Sequence, residues 1–257
     1  MKRLEDNPTL MKMLLWSGPF LVLCWVGALV GYGRFIPPET PAADAQTIAN
    51  FYADNTTALR IDVLVLMVTG GFWATWGAAI ATYVKRMEKG WLLTFATVAL
   101  VGGGYVFFET VALFWGVATF RPDTVSPDVT QTLHDLGWFA MLWTWPPFAL
   151  FNVVLGIAIL SDKSTPTVLP RWVGYMSLWC ALVFCGAATL IFAKSGPIAY
   201  SGVVPLYIPL GCFFAWMCGF TVGLMQSIRR DVRALEESQA AAAKPRRPRL
   251  RKEKATV

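Results

Sequence analysis

Apolar residues fall into six long blocks, near 13–33, 61–84, 91–118, 136–160, 172–193 and 203–227, separated by short polar connections. Each block has the ~20 residues an α-helix needs to cross a hydrocarbon layer ~30 Å thick. The pattern predicts an all-α fold, a polytopic membrane bundle of six transmembrane helices over 13–230. Residues 1–12 form an N-terminal segment, and 231–257 read as a basic, disordered tail. The first block has no small-residue cleavage site before "RFIPPE", so it reads as a span rather than a removed leader.

Two connections carry structure of their own. In the loop 35–59, Thr40-Pro41 gives a helix start and Asp44 suits the positive end of a helix dipole. Ile48, Phe51 and Tyr52 then share one face of a short amphipathic helix. That helix either lies on the membrane surface or packs over the mouth of the bundle. In 121–135, Ser126-Pro127-Asp128 combines a cap, a first-turn proline and a first-turn acid. The fourth helix therefore begins near Pro127, about two turns outside the membrane, with His134 and Asp135 on its entrance turns.

Composition agrees with the pattern: 56% of residues are hydrophobic and 15% charged, too few charges to clothe a soluble domain of 257 residues. Charge placement then orients the chain. Lys and Arg number 18 on the side of both termini and the second and fourth connections, against Arg34, Arg60, Arg121 and Lys194 on the other. By the positive-inside rule both termini are cytoplasmic, as an even number of spans requires. The basic tract after Arg229 is suited to anionic lipid head groups. No motif points to nucleic acid, and a membrane-complex partner or homo-oligomer stays open.

Tryptophans and glycines refine the helices. Trp16, Trp91 and Trp172 at one level and Trp115 and Trp138 at the other match two interfacial belts. Trp73, Trp76, Trp143 and Trp145 sit deeper, where they line an apolar cavity, pack in the core or face lipid. Gly27 with Gly31, and Gly219 with Gly223, mark close helix contacts. All five cysteines lie within spans and read as small buried hydrophobes.

One carboxylate interrupts the third block. Glu109 lies about 16 Å inward from Phe120 and about 27 Å from Trp91 at a helical rise of ~1.5 Å per residue. Gly102, Tyr105, Ala112 and Gly116 share its face, which predicts a side chain turned into the bundle, since exposure to lipid costs at least ~2.5 kcal/mol. In the fourth block, Pro146 and Pro147 leave the carbonyls of Leu142 and Trp143 without helical donors. A protonated Glu109 could donate to one of them, or Glu109 could pair with Arg60. The candidate ligand site is thus Glu109, Trp143, Trp145, Pro146, Pro147 and Asn152, beneath an outer mouth of Arg60, Asp62, His134, Asp135 and Lys194. The competing reading is a structural clamp between the third and fourth spans.

Catalytic machinery is not signalled. A single histidine argues against di-iron and paired-histidine haem chemistry. There is no GxxxxGK[ST], CxxC or HExxH motif. His134-Asp135 is a weak dyad signal, and the histidine is expected on the surface. No catalytic residue, metal or cofactor is assigned.

The segments "LPRWVGYMSLW", "FAKSGPIAYSGVVPLYIPL", "RPDTVSPDVTQTLHDLGW" and "LSDK" resemble a family of bacterial six-span membrane proteins with no assigned activity. The resemblance covers most of residues 12–230 and implies the same topology and an inner-membrane location. Within those segments, Arg171-Trp172 reads as an interfacial anchor and Lys194-Ser195-Gly196-Pro197 as a tight turn. Lys194 can neutralise Asp135, and Tyr200 sits at the interface. The expected function is a non-enzymatic transport or accessory component handling an apolar small molecule. The alternatives are a membrane enzyme using Glu109 as acid or base and a structural subunit of a larger complex.

Overall fold

The computed structural model describes residues 7–32 and 34–243, which are helical with no strand. Six helical stretches are long and apolar enough to cross a membrane: Thr9–Tyr32, Thr56–Met87, Leu92–Phe120, Pro127–Ser161, Arg171–Phe192 and Val203–Ala234. They correspond one for one to the six apolar blocks.

Five of the six are not continuous α-helices. The first is α1 (Pro8–Val26), capped by Asn7 and followed by a π-helical stretch over Gly27–Tyr32. A short helix, α2 (Ala45–Asp54), precedes the second span. That span is α3 (Thr56–Gly70) and α4 (Phe72–Met87), parted at Gly71. At this break the Ser17 hydroxyl of α1 donates to the Phe72 carbonyl at 3.2 Å and accepts from Thr75 at 2.9 Å.

The third span, α5 (Leu92–Phe120), is unbroken, and Glu88 caps its first turn by accepting from the amides of Leu93 and Thr94 at 3.0 and 2.7 Å. The fourth is α6 (Pro127–Leu142) and α7 (Trp145–Ser161). In the fifth, α8 (Arg171–Phe184) tightens into a 3₁₀-helix over Cys185–Phe192. The sixth opens with a π-helical stretch, Val203–Tyr207, and continues as α9 (Ile208–Ala243). Between these last two spans Gly196 adopts φ 81°, the left-handed conformation that a sharp reversal needs.

Three expectations are corrected. Thr40 and Pro41 form a turn, with the Thr40 carbonyl accepting from Ala43, and α2 starts at Asp44, whose carboxylate accepts from the Thr47 amide at 2.7 Å. Residues 231–243 continue α9 rather than unravelling, since the alanine run has the highest helix propensity; the rest of the expected tail, 244–257, and residues 1–6 lie outside the described residues. Trp115 and Trp138 are fully buried, whereas Trp16, Trp91 and Trp172 are exposed, so only one of the two belts stands at the surface.

The core is aromatic, and three of its indoles are paired across spans. Trp73 donates to the Val101 carbonyl at 2.9 Å, Trp76 to the Thr221 hydroxyl at 3.1 Å and Trp216 to the Ser177 hydroxyl at 3.0 Å. Each bond joins two spans and removes the cost of burying an indole N–H. Trp73 fits because Gly104 of α5 offers no side chain where the indole lies. Gly219 and Gly223 likewise seat Met176 and Val173 of α8, while Gly27 and Gly31 have nothing within 4 Å of an added Cβ and make no such contact.

At the end carrying Lys85, Lys163 and Arg229, Asp162 accepts from the amides of Ser164 and Val168 at 2.9 and 2.7 Å. Arg230 of α9 donates to the carbonyls of Thr167 and Val168 at 2.7 and 3.2 Å. Arg86 pairs with Asp231 at 2.8 Å. This is the basic end; the other is the α2 end.

Candidate functional site

An apolar pocket with about 540 Å³ of space between atoms, part of it open, lies where five spans meet. Trp25 comes from α1, Phe108 from α5, Trp145 and Phe148 from the fourth span, Phe184 from α8 and Phe213 from α9. Eight of its fourteen lining residues are aromatic, and none of the fourteen carries a charge. Such a wall gives dispersion and ring contacts to an apolar guest and offers a charged group no compensation.

The backbone around this pocket is where the helices depart from regularity. The π-helical stretch Gly27–Tyr32 begins two residues after Trp25; the break at Trp143-Thr144 separates two lining residues, Leu142 and Trp145. Ala187 lies in the 3₁₀ segment and Pro205 in the second π-helical stretch. Non-α backbone at membrane depth survives only where protein or a cavity satisfies it, and π-bulges concentrate at functional sites. The sequence signalled just one of these, through Pro146-Pro147. Neither 3₁₀ nor π geometry has a residue signature strong enough to be read beforehand.

The predicted floor residues are only partly brought together. Trp145 lines the pocket. Trp143 and Pro146 are exposed and Pro147 is half-buried. Asn152 is fully buried outside the lining, donating to the Phe148 carbonyl at 2.9 Å, and its Oδ1 has no partner among the described residues.

Glu109 is half-buried against the second span, where its Oε1 lies 3.4 Å from the place a Cβ on Gly70 would take. It makes no hydrogen bond or ion pair among the described residues. The expected bond to Leu142 or Trp143 is absent, for a physical reason. The chain ends α6 with Trp143 N–H donating to Phe139 O at 2.8 Å and restarts at Trp145. Both prolines thereby fall in a first turn, where amide hydrogens are not needed. Nor does Arg60 pair with Glu109; its guanidinium donates to the carbonyls of Thr119 and Phe120 at 3.1 and 3.2 Å, capping the negative end of α5.

At the α2 end stands a second cluster. His134, expected on the surface, is 1% exposed because α2 folds over the first turns of α6. Tyr52 Oη lies 3.2 Å from its Nδ1, and Trp138 Nε1 donates to its Nε2 at 3.1 Å. Next to it Asp135 interacts with the Tyr200 hydroxyl and, at longer range, with the charge of Lys194; the two charges form no ion pair within 4 Å among the described residues. Tyr200 stacks on Trp138 with centroids 5.8 Å apart and planes 8° from parallel. Burial, reinforced by the Asp135 charge, pushes the Tyr200 phenol above its ordinary value, and burial does the same to Tyr52. Both are phenols at any physiological pH. Asp62 is buried on α3.

Both ring nitrogens of His134 are thus engaged, and the cluster fastens α2 to the fourth span rather than presenting a reactive group. Among the described residues, no three His, Cys, Asp or Glu side chains come together as a metal site. No family model, curated protein or solved structure matches this chain. The resemblance to bacterial six-span proteins therefore rests on the quoted segments alone.

Proposed function

We propose that this chain is a multi-pass protein of the bacterial inner membrane that binds an apolar small molecule between its spans, as a transport or accessory component rather than an enzyme. The observation that carries the reading is the uncharged aromatic pocket bordered by irregular backbone in four of its five contributing spans. Glu109 stands beside Gly70 instead of on the pocket wall, which favours binding over acid–base chemistry. With the bilayer around the six spans, the charge asymmetry puts the basic end and both termini in the cytoplasm. There Arg229 and Arg233 meet anionic head groups.

The test is native mass spectrometry of the protein in lipid nanodiscs. Wild type retains an apolar small molecule, and Leu210→Trp, which fills the pocket from a half-buried position on its wall, loses it while keeping the wild-type unfolding profile. Equal retention by both proteins overturns the reading.

A further inference from the structure

The fifth and sixth spans pack in one antiparallel register, legible in successive contacts. Gly223 meets Val173, with 2.6 Å between an added Cβ and the valine side chain, and Gly219 meets Met176 at 3.0 Å. Trp216 then donates to Ser177 at 3.0 Å. One turn further along, the same register sets Cys212 beside Cys180, close enough for each thiol to interact with the other. All five cysteines are free thiols, and the contact between these two corrects their reading as inert filler: only Cys180 is buried, while Cys212 is half-exposed.

We propose that Cys180 and Cys212 form an oxidisable dithiol that closes to a disulfide clipping the fifth span to the sixth. Depth selects the oxidant. Each cysteine lies nine residues from the start of its span, about 14 Å along a helix, and the two spans start from opposite faces. Polar oxidants partition poorly to that level, whereas lipid hydroperoxides are formed there. Cys212, the accessible partner, attacks the terminal peroxide oxygen; an S–O bond forms, the O–O bond breaks, and the thiol proton leaves with the alkoxide as an alcohol. Cys180 then attacks the Cys212 sulfur; the S–S bond forms, the S–O bond breaks, and hydroxide departs with the Cys180 proton as water. Close helix approach at Gly219 and Gly223 permits the short Cα separation, roughly 4.4–6.8 Å, that a disulfide needs. Phe184 lies one turn from Cys180, and Phe213 follows Cys212, so the clip would hold one wall of the aromatic pocket. The chemistry does not depend on what that pocket binds.

The test treats full-length protein in nanodiscs with cumene hydroperoxide and maps its peptides by mass spectrometry. Expected are the loss of two hydrogens per chain and a linked peptide joining Cys180 to Cys212. In Cys180→Ser, the sulfenic acid is trapped at Cys212 and labelled by dimedone; in Cys212→Ser, neither linkage nor label appears at Cys180. A linkage through other cysteines, or a Cys212 that still alkylates fully after the exposed Cys185 and Cys218 have oxidised, overturns the proposal. Wild-type mapping alone decides the matter if a variant fails to fold.

Discussion

Trp138 donates its indole hydrogen to Nε2 of His134 at 3.1 Å. An indole nitrogen can only donate, so Nε2 carries the lone pair and the ring proton sits on Nδ1, directed at the Tyr52 oxygen 3.2 Å away. One buried ring thereby ties α2 to α6 and aligns two aromatic side chains. His134→Ala leaves an indole donor unpaired and opens a void, with an expected loss of about 2–4 kcal/mol. Thermal unfolding in detergent measures it, and protease sensitivity in 40–55 should rise in parallel.

A pH dependence is built into the basic end. Burial opposes the charge on Asp162, but hydrogen bonds from the Ser164 and Val168 amides, with Arg230 nearby, outweigh it and hold the carboxyl below its ordinary range. The folded pKa is therefore lower than the unfolded one. The resulting stabilisation is complete above about pH 4, the unfolded carboxylate value, and is lost as pH falls through the folded value. Asp162→Asn should lower the unfolding midpoint at pH 7 and flatten its decline on acidification. Parallel acid limbs in the two proteins would contradict this.

Two glycines two residues apart in α5 should behave oppositely. An added Cβ at Gly104 runs into the Trp73 indole and threatens its bond to Val101, whereas at Gly102 it meets nothing within 4 Å. Gly104→Ala is expected to cost about 1–3 kcal/mol through overpacking. Gly102→Ala should be neutral or stabilising by up to about 1 kcal/mol through helix propensity. Unfolding midpoints of the pair, taken side by side, check the contrast.

Among the described residues Glu109 makes no bond that the glutamine amide would forfeit. Glu109→Gln should therefore leave the unfolding midpoint unchanged or raise it, because a charge at membrane depth costs on the order of 2.5 kcal/mol or more. A clear fall in the midpoint would reveal a partner and revive the clamp between spans.

The six spans and the start of α6 at Pro127 were legible because a bilayer imposes length and apolarity on any crossing helix, and Pro127 follows a capping serine. The site was less legible, for two reasons. Spacing identified a small-residue face around Glu109 but could not say which helix met it. Tyr105 and Gly102 of that face are exposed, and the close approach runs through Gly104 to Trp73. The burial of His134 likewise depends on Tyr52, 82 positions away, and no local pattern joins them. What could have hinted at it was the pairing of Tyr52 on an apolar face with a His134-Trp138 spacing of one helical turn.

The length of α9 has a consequence for how the protein meets its surroundings. Its apolar stretch closes before Arg229, yet the helix runs to Ala243, which is about 21 Å further along the rod. Salt at physiological strength extinguishes a surface field within about 8 Å. Held upright on a charged surface, the helix would lift Ala243 clear of that field. Arg229 and Arg233 would remain in the field, on the first turns of a stalk.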